Sequence, residues 1–279
     1  MQDEELSELA RALVHTGRSA GELILRYRDA GSEVHYKPDG SPVTNADRAA
    51  EELILNDLAR LAPGVSVVAE ESVGAIGEGF DPAMPFFLVD PLDGTRDFVR
   101  GGKDFTVNIA LIEDRTPVLG LIYAPAANRL YLTLSREEAV AADLEPLGGP
   151  SSGEPAFTPI RTRLPDAERL TVLASRSNLN EKTAQFINRL NVGETQQFSS
   201  SLKFCLLAEG RADLYPRLAP TCEWDTAAGQ AILCAAGGAV LNEEGEPLTY
   251  GHANRAFVNP GFLAWGRRIS ALDSGPAKV

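Results

Sequence analysis

The reading of this chain turns on residues 86–98, Phe-Phe-Leu-Val-Asp-Pro-Leu-Asp-Gly-Thr-Arg-Asp-Phe. Phe86, Phe87, Leu88 and Val89 form an unbroken apolar run of strand length, and it leads straight into two aspartates, Asp90 and Asp93. Pro91 and Gly94 predict a tight turn that lets the Leu92 carbonyl face the same way as the carboxylates. Thr95 then offers a hydroxyl and, at a predicted helix start, a backbone N–H suited to a phosphate oxygen. Upstream, Val65–Ala69 is a second short apolar run that ends in Glu70-Glu71-Ser72. Carboxylates placed where strands emerge occupy the usual position for sites in sheet proteins. If these strands are neighbours, Glu70, Asp90 and Asp93 converge, and their mutual repulsion calls for a cation. Oxygen donors with no His or Cys nearby specify magnesium or a relative rather than zinc. Asp90, at the centre, is placed to bridge two such ions, with Asp93 completing the second.

Around this stretch the chain reads as mixed helix and strand. Leu6, Leu9, Leu13, Val14, Gly17, Gly21, Ile24 and Leu25 recur at helical spacing and predict a long amphipathic helix over 3–29. Thr44-Asn45-Ala46-Asp47 has the form of a capping box and predicts a second helix, continued by Leu53, Ile54 and Leu58. The apolar runs 105–112, 118–123 and 130–134 predict an antiparallel meander. Residues 143–165 hold five prolines and Gly148-Gly149, so they mark the boundary between a first part, 1–150, and a second, 151–279. Beyond it we expect a strand over 170–174, helices over 181–190 and 202–209, a strand over 212–215, and a helix capped by Asp225 that stops at Gly237-Gly238.

Composition narrows the function. With 39 acidic and 26 basic side chains among 279 residues, the formal charge of −13 disfavours nucleic acid polymers and anionic membranes, which need basic patches. It leaves phosphorylated small molecules open, because a bound divalent cation reverses the local field. The acidity is uneven: residues 1–165 carry 27 acidic and 15 basic side chains, residues 166–279 carry 12 and 11. Three cysteines without CxxC spacing indicate neither a disulfide framework nor a zinc ribbon. No apolar run reaches the ~20 residues of a membrane span, and the acidic N-terminus is unlike a signal peptide. A cytoplasmic setting is expected, with peripheral membrane association open for a bacterial source.

Each candidate also has an ordinary reading. Taken alone, Asp47 is a capping carboxylate, Asp225 before Thr226 is a helix N-cap, Asp93-Gly94 is a common turn pair, and Glu70-Glu71 is a solvated strand end. Lys203 reads as a snorkelling helix residue, Arg217 as half of a surface ion pair, and Cys205 as a small buried hydrophobe. The ordinary readings weaken when all the carboxylates must be coincidental together. The Asp90/Asp93 spacing also differs from the DxDGT loop of haloacid-dehalogenase-type phosphatases, where the two Asp stand two apart.

Three segments, EES (70–72), DPLDGTRDF (90–98) and EWDTAAGQAIL (223–233), resemble the signatures of the inositol monophosphatase-like superfamily of magnesium-dependent, lithium-sensitive phosphatases. DGSPVTNAD (39–47), DFTVNIALI (104–112), LGLIYAP (119–125), SSLKFCLLAEGRADLYPR (200–217) and FVNPGF (257–262) are similar to its CysQ-type 3′(2′),5′-bisphosphate nucleotidase branch. The resemblance spans nearly the whole chain in order. It implies an α+β fold, a five-layered αβαβα sandwich of the inositol monophosphatase/fructose-bisphosphatase type. It also implies two or three Mg²⁺ ions. Glu70, Asp90 and the Leu92 carbonyl would hold one, and Asp90, Asp93 and Asp225 a second. Asp47 and Thr95 would be catalytic, orienting and deprotonating the attacking water. Glu70, Leu92, Asp93, Gly94, Thr95 and Asp225 would also meet the substrate, with Ser200, Lys203 and Arg217 around its second phosphate and sugar. Asn178 stands where relatives often carry His.

The reaction so implied is hydrolysis of the 3′-phosphate of adenosine 3′,5′-bisphosphate (PAP) to AMP, and of PAPS to APS, by a phosphoric monoester hydrolase of sulfur metabolism. The alternatives are an inositol or other sugar-phosphate phosphatase, and a catalytically silent binding protein on the same fold. A monomer or homodimer is expected.

Overall fold

The computed structural model describes residues 1–76, 79–145 and 155–267. The helical spacing near the N-terminus gives α1 (Asp3–Ala30), with Asp3, Glu4 and Glu5 in its first turn and Arg28 in its last. Each charge lies at the end the helix dipole favours. A short hairpin, β1 (Val34–Tyr36) and β2 (Pro42–Thr44), leads into α2 (Asn45–Leu61). Next come β3 (Ser66–Ala69), a 3₁₀ turn over Glu70–Ala75, β4 (Phe86–Asp93) and the five-residue helix α3 (Thr95–Val99). The predicted meander is β5 (Thr106–Glu113), β6 (Thr116–Ala124) and β7 (Arg129–Ser135), extended by β8 (Glu138–Asp143) and β9 (Thr158–Pro159). These strands form a seven-stranded sheet in the order β3-β4-β5-β6-β7-β8-β9, parallel only between β3 and β4.

The rest of the chain supplies β10 (Leu170–Ser175), α4 (Glu181–Ile187), β11 (Val192–Phe198), α5 (Leu202–Ala208), β12 (Leu214–Arg217) and β13 (Thr221–Cys222). A 3₁₀ turn over Glu223–Asp225 comes next, then α6 (Ala227–Ala235), β14 (Ala239–Asn242), β15 (Val258–Asn259) and β16 (Phe262–Trp265). Five of these strands make a second sheet in the order β11-β10-β12-β16-β14.

Strand alternation explains the layering. Phe87 and Val89 point to one face of the first sheet, where they pack with Leu13, Ile24 and Ile54 of α1 and α2. Phe86 and Leu88 point to the other face and join Phe204, Leu207 and Ile232 of α5 and α6, with Tyr215 and Phe262 of the second sheet. Val172, Leu214 and Leu263 cover the far side of that sheet with Ile187 of α4. The order is helices, sheet, helices, sheet, helix: the five-layered α+β sandwich. An unbroken apolar run such as 86–89 is what a strand buried on both faces requires. Packing is close enough that a Cβ at Gly21 of α1 would stand 2.4 Å from the Tyr123 ring on β6. That contact outweighs the ~1 kcal/mol a glycine costs inside a helix.

Several expectations need correction. The DPLDG segment is not a free turn, because β4 continues through Asp93 as a bulge: Asp90 faces Asn108 and Asp93 faces Thr106, three steps against two. The helix expected to reach residue 190 ends at Ile187, and the strand expected over 212–215 lies over Leu214–Arg217. Asp225 does not cap α6. It ends the 3₁₀ turn, and Thr226 stands at the start of the helix. The boundary expected at 150/151, with Gly148-Gly149, lies outside the described residues, while β8 and β9 on either side of it pair in the same sheet.

Candidate active site

The parallel pairing of β3 and β4 sets Ala69 beside Val89, so Glu70, just past the end of β3, and Asp90, within β4, stand at the same level. The bulge then turns Asp93 into the same space, and the Leu92 N–H donates to Asp90 Oδ1 at 3.0 Å. Gly94 makes the exit possible: its φ is +91°, and a Cβ there would meet the Asp104 carbonyl at 2.7 Å. These residues form one wall of a cleft of about 330 Å³. Glu70, Asp90, Leu92, Asp93, Gly94, Thr95, Ser200, Lys203, Arg217 and Asp225 all line it, as does Asn178. Asp47 does not line the cleft and stands behind Thr95.

Asp47 divides its oxygens between two tasks. Oδ2 accepts from the Thr44 N–H at 2.8 Å and the Thr44 hydroxyl at 2.6 Å, completing the capping box of α2. Oδ1 accepts from Thr95 Oγ1 at 3.1 Å. The same hydroxyl lies 3.0 Å from the Leu92 carbonyl, so one proton has two acceptors within reach. Burial raises the Asp47 pKa against the hydrogen bonds from Thr44 and Thr95.

Asp225 arrives from the opposite part of the chain and is similarly held. The Thr221 hydroxyl and the Cys222 N–H both donate to its Oδ2. The 3₁₀ turn beneath it is anchored by Glu223, fully buried, whose carboxylate accepts from the backbone N–H groups of Gly251 at 2.6 Å and His252 at 2.9 Å.

Burial and mutual repulsion dominate the electrostatics. Burial, then Glu70, Asp93 and Asp225, pushes the Asp90 carboxyl well above the usual range. Burial and Asp225 push Asp93 to about 6, and Glu70 is pushed to about 8 by burial and then by Asp225, despite the pull of a nearby lysine. That lysine is Lys37, at the turn of the β1–β2 hairpin, whose Nζ lies 2.6 Å from Glu70 and 2.7 Å from Glu71. Burial opposes its charge, but the two glutamates win and raise its pKa. Among the described residues no three carboxylate, imidazole or thiol groups are already drawn together around a metal position. Protein donors hold them instead: Lys37 on Glu70, Ser201 on Asp93, Thr221 on Asp225. The donor set still fits a hard divalent cation. It is all oxygen, and the burial and mutual repulsion that raise the pKa values of Glu70, Asp90 and Asp93 are what a bound cation would offset.

The other wall is basic. Lys203 on α5 is 2% exposed; its Nζ donates to the Ser200 and Phe198 carbonyls and lies 4.9 Å from the Tyr215 ring centre. Burial lowers its pKa to about 8, with Asp93 pulling the other way. Arg217 on β12 lies close to the Tyr215 hydroxyl, and its buried Nε has no partner among the described residues. Ser200 adopts φ +56°, a left-handed conformation that turns the chain from β11 into α5. At the mouth, Arg96 Nη1 donates to Asn178 Oδ1 at 3.1 Å.

Sequence reasoning missed four contributors. Lys37 lies at the turn of the β1–β2 hairpin, and nothing local in the sequence says that it reaches Glu70. Ser201, rather than Ser200, donates its N–H to Asp93 at 2.6 Å, and Asn108 stands beside it. Arg176 clasps Asp97 at 2.9 Å and Asp104 at 2.6 Å. None of the four carried a local signal, because each meets its partner across 15 to 108 positions.

Comparison with known proteins agrees with this geometry. The 3′(2′),5′-bisphosphate nucleotidase CysQ of Salmonella typhimurium is 41% identical over 88% of this chain and 94% of its own. The enzyme of the same name from Escherichia coli K12 is 40% identical over the same shares. Among solved structures, CysQ of Bacteroides thetaiotaomicron, described as a bacterial member of the inositol monophosphatase family, superposes with a TM-score of 0.74 at 35% identity, covering 93% of this chain and 97% of that one. Thermotoga maritima IMPase gives 0.69 at 25% identity, over 91% and 90%. The inositol monophosphatase family model matches residues 5–269, and with these relatives it establishes that the chain belongs to the inositol monophosphatase family.

Proposed function

We propose that the protein is a Mg²⁺-dependent 3′(2′),5′-bisphosphate nucleotidase that hydrolyses the 3′-phosphate of adenosine 3′,5′-bisphosphate to AMP, and acts likewise on PAPS. The observation that carries this reading is one cleft with an acidic wall (Glu70, Asp90, Asp93, Asp225) facing a basic one (Lys203, Arg217). The names of the relatives at 40–41% identity support it independently.

On this reading Glu70, Asp90 and the Leu92 carbonyl would hold one Mg²⁺, and Asp90, Asp93 and Asp225 would hold a second. A third, weaker ion would be held near Glu70. When bound, the ions neutralise the phosphate, lower the pKa of water and stabilise charge on the leaving oxygen. The Thr95 hydroxyl has both the Leu92 carbonyl and Asp47 Oδ1 within reach, and of the two only Asp47 is a base. Thr95 Oγ can then accept a proton from the attacking water while passing its own to Asp47. A P–O bond forms to that water as the ester P–O bond breaks, and the ribose oxygen leaves with a proton from solvent. Arg217 and Lys203 meet the second phosphate, Arg217 by its planar fork and Lys203 as a point charge, with Ser200 beside the sugar.

The division of labour between residues 1–150 and 151–279 belongs to the same reading, the first supplying most cation ligands and the second Asp225 and the nucleotide contacts. Three free cysteines suit a reducing, cytoplasmic compartment. Among the described residues no helix is long and apolar enough to cross a membrane.

The test is phosphate release from adenosine 3′,5′-bisphosphate and from inositol 1-phosphate, side by side with Mg²⁺ and then with added Li⁺. We expect the nucleotide to be preferred and Li⁺ to inhibit. Preference for inositol phosphate would replace the substrate, and nucleotide binding without turnover would make the protein a binding module.

A further inference from the structure

Asp93 lies at the junction of the two walls, and the residues that hold it come from both. Its Oδ2 accepts two hydrogen bonds, from the Ser201 N–H at 2.6 Å and from Asn108 Nδ2 at 3.4 Å. Ser201 Oγ donates to Asn108 Oδ1 at 2.7 Å, which closes a ring of three residues. Thr106 Oγ1 stands 2.9 Å from Ser201 Oγ. Thr106, Asn108 and Ser201 are each no more than 1% exposed, so the hydrogen bonds among these three are shielded from water.

The chemistry of the ring fixes its direction. A carboxylate accepts only, so Asn108 must present its amide NH₂ to Asp93 and its carbonyl oxygen to Ser201. The Ser201 proton is then committed to Asn108, and Thr106 must donate to Ser201. Every proton in the chain Thr106, Ser201, Asn108 is therefore passed toward Asp93. Two of the four members sit on β5, where Thr106 faces Asp93 and Asn108 faces Asp90 across the bulge. Ser201 follows Ser200 and begins the segment that carries Lys203.

We propose that Asn108 is a positioning residue for Asp93, and that through Ser201 it makes the placement of this carboxylate depend on the seating of loop 199–201. Both hydrogen bonds fall on Oδ2, so Oδ1 lies outside the ring. Cation binding at Asp93 and docking of the nucleotide-side loop thus become one event. This rests on the reading of Asp93 as a cation ligand.

The experiment is calorimetric titration of Mg²⁺ into substrate-free protein, comparing wild type with Asp93→Asn, Asn108→Leu, Ser201→Ala and Thr106→Val. Outer partners of metal ligands typically change affinity about 10–100-fold. We expect Asn108→Leu to fall in that range, Ser201→Ala to lose less, and Thr106→Val least. In turnover assays the Mg²⁺ needed for half-activation and the KM for adenosine 3′,5′-bisphosphate should rise together in Asn108→Leu, while saturating Mg²⁺ restores most of kcat. A residue that only stabilised the fold would instead lower the melting temperature and leave the half-activation point unmoved. Wild-type Mg²⁺ affinity in Asn108→Leu, with Asp93→Asn weakened, overturns the inference alone. Wild-type affinity in Asp93→Asn overturns the ligand reading beneath it. Should Asn108→Leu fail to fold, Ser201→Ala decides: unchanged affinity there overturns the proposal.

Discussion

Asp47 and Asp225 come from distant parts of the chain yet are built alike. Each is the third residue after a cap, and each sends one oxygen back to the cap N–H, to Thr44 in one case and to Cys222 in the other. They differ in the backbone that carries them. Asp47 lies in the first turn of a 17-residue helix, and its other oxygen is engaged by Thr95. Asp225 belongs to a three-residue 3₁₀ turn that α6 does not continue directly, and both of its donors crowd onto one oxygen. A capping carboxylate has its position fixed by backbone geometry while half of its accepting capacity stays free. Capping and chemistry are therefore not rival explanations of these residues, because one oxygen serves each.

Substitutions that spare the cap while changing the free oxygen test this division most sharply. The largest effect is expected for Asp47→Asn. The amide oxygen can still cap Thr44, but NH₂ now faces Thr95 and cannot take its proton. Loss of a positioned base costs about 10²–10⁴-fold in kcat, with the thermal midpoint little changed. Parallel collapse of stability and activity would show that the two oxygens cannot be separated. Next is Asp225→Asn, which keeps the acceptor for the Cys222 N–H but removes a charge. The Mg²⁺ concentration for half-activation should rise about 10–100-fold, as followed by titrating activity against Mg²⁺.

A third test uses pH to compare the cleft carboxylates Glu70 and Asp93 with these two caps. Asp93 at about 6 and Glu70 at about 8 are raised above ordinary carboxyl values, so the folded protein holds protons that the unfolded chain has released. Stability they contribute is full below the ordinary carboxyl range and is lost as pH rises through 6 to 8. The chelated protein should melt at lower temperature as pH rises across that window. Saturating Mg²⁺ should flatten the trend, and Mg²⁺ affinity should rise with pH because binding releases protons. A flat melting profile in chelator would contradict the crowding of charge. The smallest effect is expected for Thr44→Val, which removes the side-chain cap but leaves Asp47. Loss of such a cap costs about 1 kcal/mol, or about 2–4 °C in a chain of this size, read by calorimetry.

Much of the first sheet could be read in advance because its signals are local. The alternation that buries Phe86 and Phe87 on opposite faces, the Thr44 box and the meander from 105 to 134 each depend on neighbours in sequence. Less could be read where exposure or shortness removes the signal. The edge strand β11, Val-Gly-Glu-Thr-Gln-Gln-Phe, is mostly exposed and polar, and β16 has only four residues after Asn259-Pro260-Gly261. The bulge in β4 escaped because Pro91 and Gly94 suit a free turn equally well. It takes the facing residues Thr106 and Asn108 to show that pairing resumes at Asp93.

The sequence by itself determined which residues could do chemistry: oxygen ligands at strand ends, a threonine after a glycine, an aspartate in a capping box, and the family motifs that contain them. Tertiary structure alone decided what those residues meet. Lys37 reaches Glu70 across 33 positions, Thr95 reaches Asp47 across 48, and Ser201 reaches Asp93 across 108. Local spacing encodes backbone geometry, because helices and strands repeat over a few residues. The partner of a buried charge is set by which layers pack together, and no short-range pattern carries that information.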